Sequence, residues 1–215
     1  SFITVSMGDG MTETFKSLGV DYVVAGGQTM NPSTEDFLKG IDKVGGKVIY
    51  LIPNNSNIIL SAEQARDISD REIIVIPSKS VPQGIAAMLA FNEDASKEEN
   101  KENMMEAVAS VIDASITYAV RDTTINGKEI HKDDIIGIAA KDIISSGKTV
   151  YDVVTDTVDK LMDEDISLVT LFYGEDVSEE DAEVVREAIE EKYPDIDIDV
   201  IEGDQPIYYY IISLE

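Results

Sequence analysis

The chain has no cysteine, no tryptophan and a single histidine in 215 residues. Without cysteine there is no disulfide, no thiolate metal ligand and no thiol nucleophile, and one histidine cannot build a histidine-rich zinc site. Basic residues are scarce as well: 17 Lys and Arg stand against 43 Asp and Glu, a formal net charge of -26. A field of that sign repels phosphate backbones and anionic membrane surfaces, so nucleic acid is not an expected partner. Long apolar runs are missing too. No window approaches the roughly 20 uncharged apolar residues of a membrane span, and the amino terminus lacks the basic and apolar regions of a secretory signal. The expectation is a cytoplasmic protein with no stable membrane insertion. No segment ends a phosphate loop in Gly-Lys-Ser/Thr, and GGQTMN lacks the spacing of the dinucleotide fingerprint.

What is present suffices for a core: 43% of the residues are hydrophobic, enough for one large domain or two lobes. Ser1 runs straight into the apolar stretch FITVSMG, which reads as a piece of a longer protein. The charge is unevenly spread. Residues 1–93 carry 11 acids and 7 bases, net -4, and residues 94–215 carry 32 acids and 10 bases, net -22. A solvated, solubilising surface accounts for that asymmetry, and so does a landing site for a basic partner.

Residues 1–93 form the first lobe of this reading. Apolar runs alternate with helical patterns there, from FITVSMG through KVIYLIP and REIIVIP to VPQGIAAMLAFNE. Strands followed by crossover helices imply a parallel sheet, and runs such as VIYLI suit strands covered on both faces, a three-layer sandwich. Residues 94–215 form the second, acidic lobe. It opens on DASKEENKENMMEAVASVID, a helix whose Met104 and Met105 are expected to pack between the lobes. ASITYAVRDTTINGKEI reads as a hairpin about Asn126-Gly127, and DIIGIAAKDII as one further strand. TVYDVVTDTVDKLM and SEEDAEVVREAIEEKYP are helical in period, while SLVTLFYG, DIDVIEG and IYYYIISLE are strands, so this lobe is α+β. Ser178, three residues before Asp181, reads as an acidic capping box.

In a doubly wound sheet ligands collect at the carboxyl ends of the strands, where GGQTMNPST, PNNSNI and PSKSVPQG fall. Capping explains part of these segments: Ser33 or Thr34, Asn55 or Ser56, and Ser80 with Pro82 behind it, can each start a helix. Capping does not require Gln28, Asn31, Asn54, Lys79 and Gln83 as well. These residues, together with Thr29, Ser33, Asn55 and Asn57, form a candidate ligand- or partner-binding rim with Lys79 as its one positive charge. His131 reads as a solvated turn histidine, and Asp133 and Asp134 as surface charge.

TMNPSTEDFLKGI, LIPNNSNIILSAEQA and VIPSKSVPQGIAAMLAFN together resemble the carboxyl-terminal region of the ATP-dependent, dihydroxyacetone-kinase-like subunit of bacterial fatty acid kinase. The resemblance implies a two-lobed DegV-like (EDD) α/β fold, a parallel Rossmann-like sheet followed by an α+β lobe. It also implies that ATP and Mg are bound by an amino-terminal kinase domain, with no cofactor held in these residues. The implied partners are that domain and a DegV-family fatty-acid-binding protein, whose bound carboxylate would become an acyl phosphate. Thr29-Met30-Asn31-Pro32-Ser33 is similar to the Thr-Ser-Gln-Pro-Ser motif with which DegV-family proteins hold an acyl carboxylate. Met30 and Asn31 depart from it, and GDQPIYYYI stands where that family has His-Thr-Gly-Pro-Gly.

Two functions therefore compete. The first is a non-catalytic domain that docks the fatty-acid-binding partner. The second is a small-molecule or acyl-carboxylate site built from Thr29, Asn31, Ser33, Asn54, Asn55 and Lys79. An independent kinase or phosphatase has only family labels behind it, since no cysteine, Ser-His pairing or phosphate loop is present.

Overall fold

A computed structural model describes residues 1–26, 31–125 and 127–215 of the chain. It divides into two compact units, Ser1–Val111 and Ile112–Glu215.

The first unit alternates β1 (Phe2–Ser6), α1 (Asp9–Ser17), β2 (Tyr22–Ala25), α2 (Thr34–Lys43), β3 (Val48–Ile52), α3 (Ile59–Ile68), β4 (Glu72–Val75), α4 (Val81–Leu89) and α5 (Lys97–Ser110). Its strands pair in the order β2-β1-β3-β4, every pair parallel. The alternation of side chains along β1 sorts two cores. Ile3 and Val5 join Phe37 and Ile41 of α2 and Ala62 and Ala65 of α3 on one face. Phe2 joins Phe15 of α1, Ala87 and Met88 of α4 and Met104 of α5 on the other. The sheet is thus sandwiched between two helical layers, as the two-sided apolar runs predict.

The sequence placed the junction between lobes after residue 93, whereas the compact units meet after Val111. The cause is α5, which packs on α4. The expectation that the methionines fill the space between lobes is corrected with it: Met104 is buried in the first unit's own core and Met105 is exposed.

The second unit comprises β5 (Ile112–Tyr118), β6 (Thr123–Ile125), β7 (Lys128–Ile130), β8 (Ile135–Ala139), β9 (Asp142–Gly147), α6 (Val150–Leu161), β10 (Leu168–Tyr173), α7 (Glu179–Lys192), β11 (Asp197–Glu202) and β12 (Tyr210–Leu214). A six-stranded sheet runs β11-β10-β12-β5-β8-β9, with only β10 and β11 parallel. Both helices cover one face, burying Val153, Val154, Val158, Val185 and Ile189 against Leu171, Tyr210 and Ile212. The β6-β7 ribbon packs Ile125 and Ile130 against Ile136, Ile138 and Ile143 of β8 and β9.

Two readings change here. The hairpin about Gly127 is this short ribbon alone, because β5 pairs instead with β8 and β12; Asn126 lies outside the described residues. DIIGIAAKDII is not one strand but two, β8 and β9, turning at Ala140 and Lys141, which both take positive φ, 49° and 73°. That is the twist a two-residue hairpin turn requires, although neither residue advertises it. Asp134, read as surface charge, is buried in the turn before β8, ion-paired with Lys148 and accepting the His131 N–H at 2.9 Å.

Candidate functional site

The described parts of the polar segments lie beyond the carboxyl ends of the parallel strands, and the structure shows what their side chains are bonded to. Asn54, just after β3, takes the left-handed backbone at φ 59° and is buried. Its side-chain amide donates to Thr4 Oγ1 at 2.8 Å and to the Val5 carbonyl at 2.9 Å. Ser78 Oγ donates to Asn54 Oδ1 at 2.8 Å and accepts the Asn54 N–H at 2.9 Å. Thr4 Oγ1 in turn donates to the Ile52 carbonyl at 3.0 Å. One amide so ties the ends of β1 and β3 to the segment after β4, with every side-chain hydrogen-bonding group of Asn54 used. Gly84 of α4 is part of the arrangement, since a Cβ there would collide with the Asn54 side chain.

The neighbours are mostly local devices. Asn55 is buried and its Oδ1 accepts the Asn57 N–H at 2.9 Å, while Asn57 is itself exposed. Neither Asn55 nor Ser56 caps α3, whose N-cap position is Ile58, with no side-chain cap; Asn55 is spent instead on the Asx turn leading into it. Ser33 caps α2 in a full capping box with Asp36, whose carboxylate is held below its usual value mainly by the Ser33 N–H and hydroxyl. Asn31 is exposed beside it. Ser80 caps α4, and Gln83 Oε1 accepts the Lys79 N–H at 2.7 Å, leaving the Lys79 side chain in solvent. Gln28 and Thr29 lie outside the described residues.

Of the nine candidate residues, then, Asn54, Asn55, Ser33 and Gln83 are engaged by the chain itself, and Asn31, Asn57 and Lys79 are exposed. Sequence reasoning missed Thr4, Ser78 and Gly84. Thr4 and Ser6 were legible as polar residues at alternate positions of an otherwise apolar strand, on the face opposite Ile3 and Val5. Ser6 is buried, and its hydroxyl has no hydrogen-bond partner among the described residues. It precedes α1, whose amino end at Gly8 has no side-chain cap and a φ of 98°.

A second polar feature lies in the other unit, in the loop from β11 to β12. Asp204 and Ile207 both take positive φ, 52° and 74°, a conformation a β-branched residue avoids. The loop is held by Gln205, whose Nε2 donates to the Phe172 carbonyl at 2.9 Å, and by Thr117, whose hydroxyl donates to the Ile207 carbonyl at 2.8 Å. Gly174 permits this, because a Cβ there would strike the Tyr208 carbonyl. Tyr210 follows, fully buried, with a phenol pushed well above its usual value by desolvation and then by the Asp181 charge.

His131 is exposed at its side chain, with Nδ1 4.0 Å from Asp122. Among the described residues no three His, Asp or Glu side chains are placed to hold a metal ion, and no helix is long and apolar enough to cross a membrane.

Comparison with known proteins adds three findings. The FakA-like family of fatty acid kinase C-terminal sequences matches residues 1–215. Protein YloV of Bacillus subtilis strain 168 is 43% identical over 213 residues, covering 99% of this chain but 38% of its own length. The chain thus spans about two fifths of such relatives. Among solved structures, the DegV family protein Cg2579 of Corynebacterium glutamicum superposes with a TM-score of 0.71 at 12% identity, over 99% of this chain and 94% of that one. The Fak B3 protein of Streptococcus pneumoniae, solved loaded with linoleic acid, gives 0.63 at 15% identity, over 86% and 76%. Likeness at such identities establishes the DegV fold and nothing further.

Proposed function

Since the chain belongs to the FakA-like, C-terminal family of fatty acid kinase, we propose that it is a non-catalytic docking domain. On this reading it receives the DegV-family fatty-acid-binding partner and holds it where the subunit's own amino-terminal kinase domain, with its ATP and magnesium, phosphorylates the bound acid to an acyl phosphate. The single observation that carries the reading is the engagement of Asn54. The buried Asn54 amide at the strand ends is consumed by Thr4, Val5 and Ser78, so it serves the scaffold and has no donor left for a carboxylate. The acidic second unit gives such a domain a surface for a basic partner.

Calorimetric titration with the acyl-loaded carrier, at low and at moderate salt, tests it. Association that weakens with salt is expected; no association of the full-length subunit with its carrier would end the docking reading.

The alternative reading, a degenerate acyl-carboxylate site, is favoured by Ser6, whose buried hydroxyl at the end of β1 lacks a partner among the described residues. Native mass spectrometry of gently purified protein would reveal a bound acid, and protein that is always empty would count against it.

A further inference from the structure

The second unit contains a pocket for which neither reading has a use. The first turns of α6 and α7 line one cavity of about 330 Å3. Tyr151 and Val184 stand at its mouth, large side chains that are 44% and 54% exposed. Val177 and Val185 form apolar wall, and Tyr210 lies at the closed end, fully buried and, among the described residues, with no hydrogen-bond partner for its hydroxyl. A phenylalanine would fill that position without a stranded oxygen, so the hydroxyl marks where an incoming group can supply the missing bond.

The charge around the cavity has one sign. Asp176 and Asp181 line it, and residues 174–183 hold six acids and no base. The acids of the α7 first turn suit a helix amino end, but Asp176 precedes the cap and gains nothing there. Asp181 accepts the Ser178 hydroxyl at 2.8 Å on one carboxylate oxygen. Among the described residues neither Asp176 nor Asp181 has a cationic partner; the nearby Arg186 is taken by Glu183 at 2.7 Å and Glu190 at 2.6 Å. An apolar mouth, an anionic lining and a neutral oxygen at the end complement a side chain with an aliphatic stem and a cationic head of several N–H groups. A guanidinium, with five N–H donors in a fixed planar fork, suits two acceptors on different groups better than a single ammonium does.

We propose that this pocket receives an arginine side chain of the partner protein, its stem against Tyr151 and Val184 and its guanidinium donating to the Asp181 carboxylate and the Tyr210 hydroxyl. The proposal rests on the docking reading for the identity of the partner, and it gives that reading a fixed anchor in the acidic unit.

The test uses the full-length subunit. Tyr210→Phe should melt at or above the wild-type temperature, because it removes a buried unpartnered hydroxyl, yet weaken carrier binding roughly fivefold; Asp181→Asn should weaken it roughly tenfold. Fluorine NMR of fluorotyrosine-labelled subunit then follows Tyr210, assigned by its loss in Tyr210→Phe, during titration with N-acetyl-arginine amide. That resonance should shift and saturate, and N-acetyl-citrulline amide, of the same shape without the charge, should leave it in place. Carrier binding unaffected by both substitutions would overturn the pocket while leaving the docking reading intact. If the wild-type subunit fails to bind carrier, docking falls, and the arginine amide alone decides: a saturating shift keeps the pocket as an arginine site, and an unmoved resonance removes it.

Discussion

Asn54→Ala is the perturbation that separates scaffold from site. The substitution deletes the donors to Thr4 Oγ1 and the Val5 carbonyl and the acceptor for Ser78 Oγ, all in a buried setting. Each such bond contributes roughly 1 kcal/mol net, with a further penalty where a buried group is left unpaired. It also places a Cβ without a compensating side chain at φ 59°, which costs about 1 kcal/mol more than asparagine, whose amide tolerates that region. The expected loss is about 4 kcal/mol, a large share of the stability of a domain this size. Asn54→Gly should lose about 1 kcal/mol less, since glycine adopts positive φ freely. Lys79→Ala, at an exposed side chain, should stay within roughly 0.5 kcal/mol. Urea unfolding gives the magnitudes, and amide hydrogen exchange of β1 and β3 assigns the loss to the first unit. If Asn54→Ala cost no more than Lys79→Ala, the amide would not be holding the strand ends together and would again be a ligand-binding candidate.

Three further predictions concern the second unit. Replacing Ala140-Lys141 by Asn-Gly puts the residues a two-residue hairpin prefers where φ is already 49° and 73°, and should raise stability by about 1 kcal/mol in thermal or urea unfolding; an unchanged or lower midpoint would refute the turn assignment. Gly137→Ala should cost about 3 kcal/mol, because the added Cβ meets the mutually bonded hydroxyls of Ser145 and Thr157 at a bulge in the β8–β9 pairing, and near-wild-type stability would contradict that packing. Asp134 is held below its ordinary 3.8 first by the Lys148 ammonium and then by the His131 N–H. A lowered folded value means stability present above pH 3.8 and lost as pH falls through the folded value, so Asp134→Asn should flatten that part of the acid-unfolding curve; an identical curve would refute the pairing.

The α/β order of the first unit was legible because each strand there is an apolar run between helical periods, and a parallel sheet leaves few other ways to bury such runs. The same rule gave α5 as a helix but not the unit it joins. Its polar first turn is solvated, and Met104 is its one fully buried apolar residue, set in the first unit's core; a single such residue in a charged helix leaves little periodic trace. The hairpin at Ala140-Lys141 was hidden for a related reason: pairing with β5 and the burial of Ile136 and Ala139 hold the turn in a conformation its own residues do not choose. At the strand ends the residue types were visible, whereas their bonds were not. Asparagine and serine are as suited to tying backbone together as to holding a ligand, and composition cannot tell which atoms are already spent. What separates the two roles is saturation. Asn54 has no free donor left, whereas Tyr210 and Ser6 each keep a buried oxygen without a partner among the described residues. An oxygen the chain leaves unsatisfied costs stability in the isolated protein, and it is there that an incoming group gains most.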